Sequence, residues 1–318
     1  MKAIIYVFSG TGNTRLVAGI YQKYLTEYET TIFDIKVQNT QIPDPNDFDL
    51  CGFAFPVHGF NAPKIFTDFV KKLPVIRDVN STGKKKTFIF KTSGEGLRFN
   101  LYSSQITIRT LERKGFEIFT DHHFVMPYNM IFRHTPEMVK SEYIYADARV
   151  RMNVKQLREN SKTKIYRRSI KAWFLPIFRI EWLYAQAQGP FMKVDTKKCI
   201  NCQKCVKICP YQNIKVVDGK FKFGTHCALC VACSFNCPTS AISIGLLNGW
   251  KVNGDYKIVK TASDSSIKFP YFNNDLKGLK RWAYLKHFKN LQKELEQNNI
   301  PLQETDLNLE TLSSKLKF

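Results

Sequence analysis

Acidic residues are scarce in this sequence: 27 Asp and Glu stand against 48 Lys and Arg over 318 residues, a formal charge of +21 at pH 7. That balance excludes an acidic carrier surface and implies that something acidic meets this one. Long apolar runs are missing too. The longest apolar-rich stretch, Ala172 to Ala185, contains Pro176, Arg179 and Glu181 and is too short to cross about 30 Å of hydrocarbon. The first residues, Met1-Lys2 and the apolar run to Phe8, break into Gly10-Thr11-Gly12-Asn13 and offer no small-residue cleavage site, so they read as a first strand and not as a secretory leader. Two phosphate-binding fingerprints are also absent. The third glycine of a dinucleotide loop is replaced by Arg15, and no Gly-Lys-Ser/Thr follows.

What is present alternates. From residue 2 to about 125, β-rich apolar runs alternate with helical patterns, the signature of βα units and a parallel sheet. Strands are expected at 3–8, 30–35, 48–55, 86–92 and 116–125, and helices at 14–26, 63–73 and 101–113. The connection before the third strand holds Pro43-Asp44-Pro45 and is too proline-rich for a helix. Residues 136–170 read as a long polar helix or helices, and ten Lys or Arg between Arg149 and Arg179 face one acid, Glu159. After about residue 245 comes a mixed tail with one helix expected near 277–297. The aromatic stretch Ala172 to Tyr184 reads either as interdomain core or as a membrane-surface patch.

Eight of the nine cysteines fall into two runs, Cys199, Cys202, Cys205, Cys209-Pro210 and Cys227, Cys230, Cys233, Cys237-Pro238. The runs share the spacing C-x2-C-x2-C-x3-C-P at an offset of 28, so 199–244 holds two copies of one small unit. Three thiolates at intervals of two residues can wrap one metal–sulfur cube, and the proline ends the loop and sends the fourth cysteine away. Bacterial two-cluster ferredoxins have this spacing, each fourth cysteine ligating the other cluster. One [4Fe–4S] cluster is therefore expected on Cys199, Cys202, Cys205 and Cys237, and a second on Cys227, Cys230, Cys233 and Cys209. Structural zinc is the alternative, but it has no use for a third cysteine at the same interval. Thiols held for clusters imply a reducing, cytoplasmic setting. The ninth, Cys51, lies in an apolar strand and is expected to be buried and inert.

The first strand runs into Ser9-Gly10-Thr11-Gly12-Asn13-Thr14 and a helix starts at once. Hydroxyls, glycines and backbone N–H groups at a helix N-terminus can surround one phosphate. A plain turn with a helix cap is the alternative. Tyr6 to Thr14 resembles the flavodoxin FMN-phosphate motif, and its fusion to paired cluster runs resembles the EFR-type ferrodoxins, which are flavodoxin–ferredoxin fusions. The resemblance covers residues 1 to about 245. It implies an α/β flavodoxin-like, doubly wound five-stranded parallel sheet followed by a small α+β two-[4Fe–4S] ferredoxin-like domain and a C-terminal extension. The divisions expected are 1–135 for the sheet, 136–190 for a basic helical connector, 191–247 for the clusters and 248–318 for a partly helical extension.

The resemblance also places FMN across two further loops, Pro56-Val57-His58-Gly59-Phe60-Asn61 and Thr92-Ser93-Gly94-Glu95-Gly96, whose glycines can approach a flat ring. Flavodoxins flank that ring with Trp or Tyr; this chain offers His58, Phe60 or Phe99, with Tyr128 nearby. His58 reads as a loop hydrogen-bonder, and His122 and His123 as structural. Two clusters at about −2 each and one phosphate near −2 would still leave roughly +15. The function implied is an electron relay between clusters and FMN, fed by an acidic ferredoxin or reductase. The alternatives are a flavin-dependent reductase of a small-molecule acceptor and, further off, a nucleic-acid-binding protein motivated by charge alone.

Overall fold

The computed structural model describes residues 1–77, 84–167, 174–271 and 284–303. Its centre is a parallel sheet of β1 (Lys2–Val7), β2 (Glu29–Asp34), β3 (Leu50–Pro56), β4 (Lys85–Ser93) and β5 (Phe116–Val125) in spatial order 2-1-3-4-5. β1 and β3 are covered on both faces, which is why they read as unbroken apolar runs. Alternate side chains face opposite layers. Ile4, Tyr6, Phe53 and Ile89 pack under α2 (Lys64–Lys72) and α3 (Gln105–Arg113). Ile5, Val7, Phe88 and Phe90 pack under α1 (Asn13–Tyr24) and α4 (Pro136–Arg158).

α4 departs from the expected polar connector in two ways. It ends at Arg158, well short of residue 170, and it is buried. Tyr143, Ala146, Val150 and Val154 share one core with β1 and β4, so the packing of the sheet domain runs past residue 135. Its polar residues are inside because each finds a partner. Tyr21 donates its hydroxyl hydrogen to Asn153 Oδ1 at 2.6 Å, Tyr24 bonds Asp147 at 3.0 Å, and Lys140 Nζ donates to the Asp264 carbonyl at 2.9 Å. Such partners hid the helix face from an apolar-periodicity reading.

Beyond the connector helix α5 (Ile180–Gln188), β6 (Lys193–Val194) pairs antiparallel with β9 (Ile242–Ser243), and β7 (Ile214–Val217) with β8 (Lys220–Phe223). Between them lie α6 (Lys204–Ile208) and α7 (Ala232–Phe235). The tail does not stand apart. α8 (Ile258–Ser263) and the C-terminal helix Lys286–Gln297 pack on the outer side of α4, the latter through Phe288, Leu291 and Leu295 against Tyr145, Ala148 and Met152. The first part of the helix expected at 277–297 lies outside the described residues. No described helix is long and apolar enough to cross a membrane.

Candidate cofactor sites

The sequence repeat is also a repeat of backbone conformation. Asn201, Gln203 and Gln212 have φ of 54°, 53° and 50°, and their counterparts 28 residues on, Leu229, Val231 and Ser240, have 49°, 51° and 53°. Six non-glycine residues in this uncommon region cost conformational energy, and successive N–H groups turned to one side of such a loop form an anion-binding concavity. The fourth cysteines match as well: Asn213 N–H donates to Cys209 Sγ and Ala241 N–H to Cys237 Sγ, each at 3.3 Å.

The two loops enclose two cavities. One, of about 340 Å³, is lined by Cys199, Cys202, Cys205 and Cys237; the other, of about 440 Å³, by Cys209, Cys227, Cys230 and Cys233. Each cavity thus draws three cysteines from one run and the fourth from the other, the grouping expected from the spacing. None of the nine cysteines forms a disulfide. Among the described residues, no three His, Cys, Asp or Glu side chains converge on a point suited to one metal ion. Burial pushes the Cys205 thiol up to about 11 and that of Cys230 up to about 12. Thiolates there need a strong local cation, as cluster iron supplies. Cys51, equally buried, is pushed up to about 12 and has only a carbonyl beside it, that of Pro45 at 3.8 Å.

The cavities differ in position. Cys202 is exposed and Ile200 at the mouth of the first is 63% exposed, so this is the outer cavity. The second is inner: Cys230 and Tyr211 pack against the sheet core, and Val37 N–H donates to the Pro210 carbonyl at 2.9 Å. A Cβ added to Gly10 would stand 2.6 Å from the Cys230 carbonyl oxygen. Glycine is required at this position because the phosphate-type loop and the inner cysteine loop touch backbone to backbone.

All three expected flavin loops meet at the C-terminal edge of the sheet, after β1, β3 and β4, where the strand order reverses. In the first, Gly12 has φ 104° at the N-cap of α1 and has no side chain to cap it, so Ser9 Oγ takes the first-turn N–H of Arg15 at 3.3 Å. Ser9 Oγ accepts from Gly12 N–H at 3.2 Å, Asn13 Nδ2 donates to the Pro127 carbonyl at 2.7 Å, and Thr14 Oγ1 lies 2.7 Å from Thr92 Oγ1. These residues fit a phosphate. The second loop is a tight turn closed by His58 and Asn61, whose backbones exchange hydrogen bonds of 2.9 and 2.8 Å. Burial holds the His58 imidazole down to about 4, so it is neutral. In the third, Ser93 Oγ lies 2.7 Å from His123 Nε2, and Asn100 Nδ2 donates to Glu95 Oε1 at 2.9 Å. His122 is held by Gln156 at 3.0 Å, so both histidines support the sheet edge.

Two glycines serve a different purpose from the one expected. The faces of Gly94 and Gly59 meet this chain's own side chains: the Tyr128 ring lies against Gly94, and Glu181 against Gly59. Tyr128 also hydrogen-bonds Glu95, and Phe60 packs edge-on to Phe99 at 5.8 Å and to Phe178 at 5.1 Å. The connector therefore closes over the second loop, with Asn61 Nδ2 donating to the Leu175 carbonyl at 3.2 Å. Below the third loop lies a fully buried ion pair that the sequence gave no sign of, Lys91 Nζ to Asp121 at 2.6 Å. Tyr284, from the tail, donates to the Gly94 carbonyl and lies 3.1 Å from His134 Nε2.

Residues 191–214 match the family model of a 4Fe-4S binding domain. Among solved structures, the chain is similar to a flavodoxin from the domain Archaea, at 11% identity over 49% of this chain and 99% of that one, with a TM-score of 0.33. It is also similar to flavodoxin 1 from Bacillus cereus, at 15% identity over 50% of this chain and 98% of that one, TM-score 0.35. A flavoprotein from Lactobacillus acidophilus in complex with FMN is 15% identical over 38% and 92%, TM-score 0.27. No curated protein matches. The strand order itself defines a flavodoxin-like α/β fold. In the chain, a 4Fe-4S binding domain follows that sheet.

Proposed function

We propose that the chain is an EFR-type ferrodoxin that relays electrons between two [4Fe–4S] clusters and FMN in the cytoplasm. The observation that carries this reading is the contact between Gly10 and Cys230, which sets the phosphate-type loop against the inner cysteine cavity. Bound there, the clusters would exchange single electrons and FMN one or two. Cys199, Cys202, Cys205 and Cys237 would hold the outer cluster, and Cys209, Cys227, Cys230 and Cys233 the inner one. The first-turn N–H groups of α1 with Ser9, Thr11 and Thr14 would hold the FMN phosphate, and Tyr128 and Phe60 stand at the two loops facing its ring. N–H groups turned inward by the αL residues of both cysteine loops would offset negative charge in the cavities. Exposure of Cys202 makes the outer cavity the entry point for a partner.

Anaerobic reconstitution with iron, sulfide and FMN tests this directly. About eight iron atoms and one FMN per chain are expected, and Cys209→Ala should abolish the spectroscopic signature of the inner cluster while the outer one persists. Two zinc ions without labile sulfide would sink the iron reading; full iron without flavin would sink only the FMN part.

A further inference from the structure

The aromatic stretch Ala172 to Tyr184, read as interdomain core or as a membrane-surface patch, has both buried and exposed side chains in its described part, which begins at residue 174. Leu175 and Ala185 face inward, whereas Ile177, Ile180 and Leu183 are 69%, 68% and 68% exposed. Large aliphatic side chains this exposed on one helical face are a liability unless something covers them. The face continues onto the cysteine-rich unit. Phe191, 59% exposed, lies beside Gly245, and the next residues bring Leu246 and Trp250, 80% and 56% exposed. Ile131, also exposed, joins through its N–H bond of 2.6 Å to the Trp250 carbonyl.

We infer that this face is a docking surface for an anionic membrane. Charge complementarity selects the occupant: between residues 174 and 251, ten Lys and Arg stand against three acids. The acids lie off the face. Glu181 turns into a crevice with His58 and Trp182, Asp195 pairs with Lys198 at 3.6 Å, and Asp218 is on the β7–β8 turn. Lys193, exposed and two residues from Phe191, flanks it, whereas Lys251 Nζ turns back to the Ile242 carbonyl at 2.7 Å. Outward aliphatics, aromatic side chains and basic flanks form the pattern of a segment that lies in the headgroup plane. A protein partner would be read by pockets for its anchors, but these side chains stand out from the surface and line neither the cysteine cavities nor the crevice at His58. Such docking would hold the relay beside a lipid-soluble or membrane-bound partner.

The test uses the full reconstituted chain and vesicles of phosphatidylcholine with or without phosphatidylglycerol, read by co-sedimentation. Binding should require the anionic lipid and weaken as salt rises. Ile180→Ser with Leu183→Ser should lower partitioning about tenfold or more while iron content and the far-ultraviolet spectrum stay unchanged. Trp250→Ser reports independently from the other end of the face and should weaken binding in the same direction. Absence of binding to anionic vesicles would overturn the proposal, as would binding that none of these changes weakens. So would a lipid-free dimer, or a complex with an acidic ferredoxin, that the double variant abolishes while vesicle binding is unaffected.

Discussion

At the scale of single residues, the least legible features are charges placed where charges cost most. Lys91 and Asp121 sit in adjacent strands, and Lys91 interrupts what otherwise reads as an apolar run. Their side chains are fully buried, and Ser104 Oγ and the Leu101 carbonyl complete the ammonium's shell at 3.0 and 3.2 Å. Burial pushes Lys91 down and Asp121 up, and each partner's charge and hydrogen bond oppose that shift in the other. Removing one partner strands the other. Lys91→Met is therefore expected to cost about 3–5 kcal/mol in chemical denaturation, and adding Asp121→Leu should restore much of it. If the double variant is as unstable as the single one, the pair matters for its hydrogen bonds to Ser104 and Leu101 and not for its charge balance. By contrast, the eight cysteines stand out by their spacing and Gly10 by its place in a phosphate-type loop, although its approach to Cys230 is visible only in the fold.

Elements were legible in proportion to how far local chemistry fixes them. β1, β3, β4 and β5 lie within two residues of their expected bounds, since a strand covered on both faces leaves a plain apolar run. α4 was not, because its buried face carries Lys140, Asp147 and Asn153, each held by a residue far away in sequence, and Glu142, which pairs with His134 at 2.8 Å. The ring end of the flavin site was also hidden. Nothing in the sequence around Gly94 says that Tyr128 comes back to cover it. The phosphate loop, a purely local motif, gives the sharper expectation: Thr11→Ala with Thr14→Ala should weaken FMN binding, each hydroxyl to a charged group being worth about 1.5–3 kcal/mol. A fluorescence titration measures it; unchanged affinity would move the phosphate elsewhere.

For the whole molecule, much of the densest basic run is paired with acids of the same chain. Arg151 pairs with Asp147 at 3.0 Å, Arg158 with Glu27 at 2.7 Å, Lys162 with Glu117 at 2.6 Å and Arg167 with Glu112 at 2.7 Å. Arg149 is buried against β5 and bonds Glu294 at 3.1 Å, and Arg168 and Lys171 lie outside the described residues. Uncompensated charge also sits on the cysteine-rich unit, where Lys204, at the rim of the outer cavity, and Lys207 are exposed. Reduction of the reconstituted protein by a reduced acidic ferredoxin should therefore slow steeply with salt. Lys204→Glu with Lys207→Glu should slow it far more than Lys162→Glu with Arg167→Glu. Equal effects from the two pairs would return the docking role to the helical run.

The contact between Gly10 and Cys230 bears on how the molecule is made as well as how it works. With the inner cysteine loop seated, backbone lies against backbone at the mouth of the phosphate-type loop, and Tyr284 and the tail close the same edge from the other side. A nucleotide would then enter most easily before the cysteine loops are fixed, so FMN offered ahead of iron and sulfide is expected to load more fully than FMN offered after them, which staged reconstitution measures.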